Sequence, residues 1–386
     1  MAATPPEEKA PFLERVGVRY LERAARAAPP VAASDAIHVL NADERRALRR
    51  IERGAVLRAA AAGGLSAFSS ALADALAQPL LGADPDVATH EQLLAFWAVV
   101  GGVTVVAAIC EIGFLYWDAL RTVHRLAHAA GLELVGGLEH DDARAVATAL
   151  ARAALELPNP PRRLFGVDPR RESSRLTIVL AALLYKAKVG LTNFLLKALI
   201  RRMLSRAAVR VYLAFVAVPV TALWNGLVSW RVVREARIRV MGPSAAREMI
   251  DGIFAGAAPL SDAGRLGVLR AVASSIVRTE DLHPNLVALL REVRARVGEH
   301  EGAVVDDTRL FLGELGALEP DEQRLVLRVL SVAAIIDGRL TRKERALVRD
   351  ALTACGRMPD DAPVRALARA FVSGDDIGVE RIRALA

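Results

Sequence analysis

Two apolar stretches separated by a short acidic loop constrain this chain more than any other feature of its sequence. They occupy residues 59–81 and 93–116, and at 1.5 Å per residue each is long enough to cross a bilayer core of about 30 Å. The loop between them has no Lys or Arg, whereas both outer flanks are basic. Because basic flanks stay in the cytoplasm, the pattern predicts a transmembrane hairpin with its loop outside. A buried helical hairpin of a soluble protein is the alternative, since the first stretch is rich in alanine.

The first apolar helix has two faces of different side-chain size. One face repeats every four residues and is small: Ala59, Gly63, Ala67, Ala71 and Ala75. The other face is large: Leu65, Phe68, Leu72, Leu76 and Leu80. Small side chains let helices approach closely in lipid, so the small face is predicted to meet a partner helix and the large face lipid. Ala98 and Gly102 are the predicted receiving positions on the second helix.

Two acids fall inside the hairpin, where an ionisable group is expensive and is a functional hypothesis by default. Asp74 precedes Leu81 by seven residues, which places it roughly 10 Å below the outer surface, whereas Glu111 lies roughly 27 Å from that surface. This difference in depth predicts that the two carboxyl groups do not pair, and that Glu111 lies near Arg58. Interhelical hydrogen bonding is the main interpretation of both acids, and a proton or ion path is the alternative.

A third apolar segment, 211–230, carries no charge and contains Pro219, which membrane helices tolerate. Both of its flanks are basic, so a single crossing would place one basic flank outside. Three interpretations follow from this: a re-entrant helix, a fourth crossing formed by 176–200, or a violation of the positive-inside rule. The sequence does not decide among them.

The net charge of +7 is concentrated around that third segment. Between 197 and 239 nine basic residues face the single acid Glu235, a net charge of +8, so the rest of the chain carries −1. Basic side chains that flank an apolar segment indicate contact with anionic lipid rather than with nucleic acid. The predicted lipid contacts are Arg201, Arg202, Arg206, Arg231 and Arg234.

The C-terminal part contains an internal repeat. Residues 268–298 align without gaps on 326–356, at an offset of 58, with identities that include Leu282/Leu340 and Gly298/Gly356. Each copy is predicted to form a helix, a short loop, a second helix and a terminal glycine, so that two copies make one helical domain. This domain is predicted to cover 245–386 and to begin after Gly242-Pro243-Ser244.

The loop of the second copy has the second half of an EF-hand pattern. A complete EF-hand is excluded, because its first and third acidic positions are Ala333 and Ile335 here. Thr341 followed by Glu344 instead predicts a capping box at the start of the next helix, which stabilises by about 1 kcal/mol.

Two family resemblances add to this interpretation. AAIIDGRLTRKERALVRDAL, 333–352, resembles the tellurite-resistance TerB family, which implies a cytoplasmic all-α domain and a divalent-cation site, for example for calcium. The resemblance makes Asp337 and Glu344 candidate ligands, although Leu286 replaces the glutamate in the first copy. The middle region is similar to EcsC-type bacterial membrane-associated proteins. The similarity lies in VHRLAHAAGLEL (123–134), LLKALIRRML (195–204) and AVPVTALWNGLVSW (217–230), and it implies no catalytic residue.

Together these features predict an all-α protein of the bacterial inner membrane with cytoplasmic termini. The predicted parts are N-terminal helices (1–58), the hairpin (59–117), a membrane-associated helical region (118–241) and the TerB-like domain (245–386). We expect an interaction or sensing protein with an unknown cytoplasmic protein partner, and the resemblances would link it to envelope or metal stress. A transporter or channel subunit that assembles through the hairpin, including as a homo-oligomer, is the alternative. No Walker loop, Gly-x-Ser-x-Gly elbow or zinc-ligand set occurs in the sequence, so no enzyme is expected.

Overall fold

A computed structural model describes residues 11–27, 39–82, 88–131, 140–157, 159, 164–172, 207–298, 300 and 302–385. Every regular element within these residues is a helix, which confirms the all-α prediction. The helices are α1 (Phe12–Ala27), α2 (Ala42–Ala77), α3 (His90–Ala129), α4 (His140–Ala154), α5 (Ala207–Phe254), α6 (Asp262–Thr279), α7 (Pro284–Val297), α8 (Thr308–Leu315), α9 (Pro320–Ala333), α10 (Arg342–Ala354), α11 (Ala362–Ser373) and α12 (Val379–Arg383).

The chain divides into two compact units, each assembled from segments that are distant in sequence. The apolar unit comprises Arg49–Thr122 and Ser174–Arg234, and the repeat unit comprises Met1–Leu48, Val123–Ser173 and Glu235–Ala386. The predicted parts followed the sequence in order, whereas the repeat unit gathers N-terminal, middle and C-terminal segments. Within it, α1 packs on α4, and the N–H of Leu40 donates to the carbonyl of Gly374 at 3.0 Å.

Three helices in the described part of the chain are long and apolar enough to cross a membrane: Ala42–Leu81, His90–Ala129 and Phe215–Phe254. The two faces predicted for the first of them are confirmed. Ala59, Gly63, Ala67 and Ala71 are buried, whereas Leu65 is 66% exposed and Leu76 is 71% exposed. The apolar unit therefore hides its small side chains between helices and turns its large side chains outwards.

The helix that receives the small face is α5, so the prediction that Ala98 and Gly102 receive it is wrong. Both of these residues are exposed. A Cβ atom on Gly64 would instead meet Ala222 of α5 at 3.5 Å, and one on Gly63 would meet the Asn225 amide. Helix α3 packs through a different stripe, since Phe96 and Val100 form an apolar cluster with Ala77 and Leu81. The lack of bulk at Gly63 and Gly64 is what lets the backbone of α5 approach so closely.

Helix α5 runs without interruption through Gly242-Pro243-Ser244, so the predicted start of a new domain there is wrong. Pro243 has no N–H and leaves the carbonyl of Arg239 without its helical donor. The Asn285 side chain donates nearby, from Nδ2 to the carbonyl of Ile238 at 2.9 Å. Gly242 makes this approach possible, because a Cβ atom there would lie 2.0 Å from Cγ of Asn285. The helix is therefore continuous at a sequence that usually ends a helix, and at Gly242 it packs directly on the Asn285 amide.

The internal repeat is confirmed, including its offset of 58. Helices α6 and α9 begin at 262 and 320, and helices α7 and α10 begin at 284 and 342. The N-caps of the second helices correspond as well, as His283 in the first copy and Thr341 in the second. So do the left-handed residues of the loops, Glu280 with φ 57° and Gly338 with φ 74°. The two copies pack through α6 and α9.

Candidate functional site

The loop between α9 and α10 holds Asp337 and Glu344, the two predicted metal ligands. The predicted capping box is confirmed: the backbone N–H of Glu344 donates to Oγ1 of Thr341 at 3.2 Å, and the N–H of Thr341 donates to Oε2 of Glu344 at 2.8 Å. Oδ1 of Asp337 accepts from the N–H of Arg339 at 2.8 Å. Both carboxylates therefore organise the backbone at the start of α10.

Glu344 lies in an unusually costly position for an acid. It is 0% exposed, and its Oε1 and the Ser275 hydroxyl are both buried without a hydrogen bond of good geometry. Burial first, and the neighbouring Asp337 second, raise the pKa of Glu344 to about 8, against the lowering effect of the hydrogen bonds from Thr341. Burial also raises the pKa of Asp337. The folded chain therefore holds the proton of Glu344 more tightly than an exposed glutamate would.

The oxygen atoms of Asp337 and Glu344 do not provide the coordination that a calcium ion needs. Calcium takes six to eight oxygens, whereas Oε2 of Glu344 and Oδ1 of Asp337 already accept backbone hydrogen bonds. Among the described residues, no group of three or more His, Cys, Asp or Glu side chains could hold a metal ion. The divalent-cation site implied by the TerB resemblance stays a prediction.

A charged network lies beside the loop, and the sequence did not reveal it. Glu235 accepts from Arg239 at 3.0 Å and from Arg339 at 3.1 Å, and Nε2 of His283 lies 3.0 Å from its Oε1. The backbone N–H of Asn285 donates to Nδ1 of His283, so Nε2 is the nitrogen that carries the proton towards Glu235. Glu235 is therefore the centre of a structural ion-pair network. The repeat offset could have pointed to His283, since it corresponds to the capping Thr341.

Inside the apolar unit, Glu111 forms a hydrogen bond with the side-chain amide of Asn225 and not an ion pair with a basic residue. Nδ2 of Asn225 donates to Oε1 of Glu111 at 2.7 Å, and both residues are buried. Arg58 pairs with Asp118 at 2.7 Å, so the predicted proximity of Arg58 and Glu111 is wrong. The reason is that Asp118 lies two helical turns further along α3, at the level of Arg58. The interhelical hydrogen bond expected for Glu111 is present, with a partner on α5.

Asp74 lies on a buried polar line of α2. Ser66 and Ser70 are buried on the same line, and the Ser70 hydroxyl donates to the carbonyl of Ser66 at 3.1 Å. Asp74 itself is only 7% exposed and makes a polar interaction. The different depths predicted for Asp74 and Glu111 stay a prediction.

Substitution of Gly63 tests the polar contact in the apolar unit. A Cβ atom at Gly63 would lie 2.4 Å from Nδ2 of Asn225, so Gly63→Ala should displace the amide from Glu111 and destabilise by about 1–3 kcal/mol. Gly64→Ala is the matched control, because its Cβ atom would meet Ala222 at an ordinary 3.5 Å. Thermal unfolding of the detergent-solubilised chain, followed by tryptophan fluorescence, measures the difference. Equal midpoints for the two variants would contradict the assigned contact.

The predicted lipid-contacting arginines are only partly within the described residues. Arg231 is exposed, and Arg234 stacks over Trp230 with its guanidinium carbon 5.7 Å from the ring centroid. Arg201, Arg202 and Arg206 lie outside the described residues. Two further members of the basic window serve the repeat unit: Arg237 donates to the carbonyl of Val372 at 3.0 Å, and Arg239 to that of Ala149 at 2.7 Å. Not all of the local basicity is therefore available to lipid.

Comparisons with family models, with curated proteins and with solved structures give no match for this chain.

Proposed function

We propose that this chain is a membrane-anchored interaction or sensing protein of the bacterial inner membrane, whose repeat unit meets a cytoplasmic protein partner. The exposed apolar surface of its long helices carries the proposal. Leu76 of α2, Leu94 of α3 and Leu223 of α5 are each at least 70% exposed. Exposed apolar area costs roughly 25 cal/mol per Å² in water. The exposed apolar side chains on these three helices therefore favour a lipid environment.

Interfacial side chains support the same orientation for α3 and α5. Arg121 stacks over Trp117 on α3, at 5.2 Å, as Arg234 does over Trp230 on α5. Tryptophan and arginine together are typical of the level where a helix leaves the bilayer. Because basic residues stay inside, these ends of α3 and α5 are assigned to the cytoplasmic side.

The direction of α5 favours four crossings over three. Phe215 packs on Phe68 with ring centroids 5.9 Å apart, whereas Gly226 further along α5 lies against Val56 and Ala60. Helix α5 is thus antiparallel to α2 and, like α3, runs from outside to inside. The chain must then return outwards once between α3 and α5. The crossing that the sequence offers for this return, 176–200, lies outside the described residues and stays a prediction.

Reporter fusions after 90, 150, 205 and 245 test this topology. We expect the reporters at 90 and 205 to be outside and those at 150 and 245 to be cytoplasmic. A cytoplasmic reporter at 205 would exclude the fourth crossing. An outer reporter at 245 would overturn the cytoplasmic placement of the repeat unit, and with it the proposed partner side.

In-cell photo-crosslinking tests the interaction role. A photoreactive residue at Met358, which is 87% exposed on the repeat unit, should form a discrete adduct with a protein. The same residue at Leu223, which is 76% exposed on the apolar unit, should crosslink to lipid and not to protein. Adducts at neither position, or equal protein adducts at both, would count against a partner-binding repeat unit.

The buried polar residues of the apolar unit support a second candidate function, a subunit of a small transporter or channel. Glu111, Asn225, Asp74 and Ser70 are buried among helices that we assign to the membrane. The small face of α2 is already packed on α5 of the same chain, so assembly through that face finds no support. Proton or cation flux in liposomes that disappears with Asp74→Asn or Glu111→Gln, but not with Glu91→Gln, would favour this function.

A further inference from the structure

Helix α1 packs on α4 through one face, and a buried ion pair fixes that packing. The packed face contains Gly17, Val18 and Leu21, which are all buried. Glu14 is buried with them, and its Oε2 lies 2.6 Å from Nη2 of Arg152 on α4. Rotation of α1 about its axis would leave one of these two charges buried without its partner, which is costly. The opposite face of α1 is therefore held outwards.

The outward face of α1 combines apolar and basic side chains. Phe12, Val16, Arg19 and Arg23 follow one another at helical spacing, so they lie within about 60° of the helix circumference. All four are exposed, and Phe12 is 68% exposed. Leu13, which is exposed as well, extends the apolar part at the first turn. The first turns of this face are thus apolar, and the later turns are basic.

The positive charge of this face has no counter-charge within the described part of the chain. Arg15 and Arg26 lie beside Arg19 and Arg23 and are also exposed. None of these four guanidinium groups forms a hydrogen bond or an ion pair with a described residue. Of the two acids in α1, one is the partner of α4, and the other, Glu22, is half-buried at the edge of the face. The arginines are therefore available to an external anion.

A surface of anionic lipid headgroups fits both parts of this face. Guanidinium groups bind phosphate oxygens through paired N–H donors, and each basic residue near an anionic bilayer strengthens binding about fivefold. Apolar side chains of an interfacial helix enter the boundary between headgroups and acyl chains. A nucleic-acid backbone or an acidic protein surface would pair with the arginines. Neither has an apolar layer directly beneath its charges, where Phe12 and Val16 would be buried.

We propose that the outward face of α1 binds the surface of a bilayer that contains anionic lipids. Arg19 and Arg23 contact headgroup phosphates, and Phe12 and Val16 enter the interface. Binding of this kind rests on the proposed membrane anchoring, which keeps the chain close to a bilayer. It adds a peripheral, charge-dependent lipid contact to the apolar contact that the long helices make.

Fluorescence of the full chain in lipid nanodiscs tests this contact. Val16→Cys, in a chain with Cys110→Ala and Cys355→Ala, carries an environment-sensitive fluorophore on the outward face. Nanodiscs of phosphatidylcholine alone are compared with nanodiscs that also contain phosphatidylglycerol. We expect phosphatidylglycerol to shift the emission to the blue and nitroxide-labelled headgroups to quench it, and high salt to reverse both changes. The same fluorophore at Met358, which is 87% exposed on the repeat unit, should not respond.

Matched variants separate the outward face from the net charge of the chain. Arg19→Gln with Arg23→Gln should reduce the ratio of bound to free α1 by at least about tenfold. Arg265→Gln with Arg369→Gln removes the same charge from two exposed positions on other helices of the repeat unit, and should leave the ratio unchanged. Phe12→Ala should reduce the ratio by about tenfold, because it removes the apolar contribution and leaves every charge in place.

Three results would overturn the α1 contact: equal emission with and without phosphatidylglycerol, equal responses at Val16 and Met358, or equal losses in the two arginine pairs. A fluorophore at Leu223, introduced by Leu223→Cys on the apolar unit, tests the anchoring separately through quenching by nitroxides on the acyl chains. Quenching at Leu223 without a response at Val16 would contradict the α1 contact alone. No quenching at Leu223 would contradict the anchoring, and a response of Val16 to phosphatidylglycerol vesicles would then support the α1 contact independently.

Discussion

Glu344→Gln should remove most of the loss of stability that α10 shows in the wild-type chain as the pH rises from about 5 to 8. The pKa of Glu344 is raised to about 8 in the folded chain, above its ordinary value of 4.5. The folded state therefore binds the proton more tightly than the unfolded state. The stabilisation is complete below about pH 4.5 and is lost as the pH rises through 8.

The expected loss is on the order of 3 kcal/mol, since one pKa unit corresponds to about 1.4 kcal/mol and relaxation on ionisation reduces the full value. Glutamine keeps the capping box but does not ionise. The raised pKa of Asp337 acts in the same direction, so a small slope should remain in the variant. Hydrogen exchange of peptides from α10, corrected for the intrinsic pH dependence of exchange, measures the effect.

Glu44→Gln is the matched control for this experiment. Glu44 occupies the same position in a second capping box, where it accepts from the N–H of Asn41 at 2.8 Å on the surface of the repeat unit. Its replacement should leave the pH profile of α10 unchanged. If wild type and Glu344→Gln lose protection in parallel between pH 5 and 8, the buried acid is not the source of the pH dependence.

Gly242→Ala should destabilise the repeat unit by about 3 kcal/mol, although alanine is usually the better helix former. The added Cβ atom would lie 2.0 Å from Cγ of Asn285, and the same amide donates to the carbonyls of Ile238 at 2.9 Å and Ile336 at 2.7 Å. The variant must either move the α5 backbone or release both hydrogen bonds, and overpacking of this kind costs about 1–3 kcal/mol before the lost bonds are counted. Urea denaturation of the full chain, followed by circular dichroism, measures the change.

Two further variants separate this clash from a general effect of alanine in α5. Gly252→Ala lies in the same helix, where the nearest atom is the side-chain end of Ile382 at 3.2 Å, so it should be neutral or stabilising by up to about 1 kcal/mol. Gly242→Ala combined with Asn285→Ala should cost less than the sum of the two single variants. Additive losses would mean that Gly242 and Asn285 do not interact as described.

Patterns that depend on local periodicity were predictable from the sequence. The small and large faces of α2, the capping box of Thr341 and Glu344, and the repeat offset of 58 all agree with the structure. Each of them follows from residues that are close in sequence or identical between copies. The repeat also explains why Glu344 is buried, because the corresponding Leu286 of the first copy is equally buried.

Partners across long distances were not predictable in the same way. Arg58 bonds to Asp118 rather than to Glu111, and Glu111 bonds to Asn225, which is 114 positions away. Gly242 and Pro243 usually end a helix, yet α5 is continuous there and packs on Asn285. These outcomes depend on helix register and close approach, which a single sequence does not encode in its local pattern.

The sequence by itself determined that this protein is all-α, that it has long apolar helices with distinct small and large faces, and that its C-terminal part is a duplicated helix pair. Hydrophobic periodicity, capping residues and repetition are local signals, so they can be recognised in the sequence without knowledge of the fold. Only the tertiary structure decided that α5 packs against the small face of α2, that Glu235 lies at the centre of an ion-pair network, and that Glu14 of α1 pairs with Arg152 of α4. Those features bring together segments that are far apart in the chain, and their free energies arise from burial and packing that exist only once the helices are in contact.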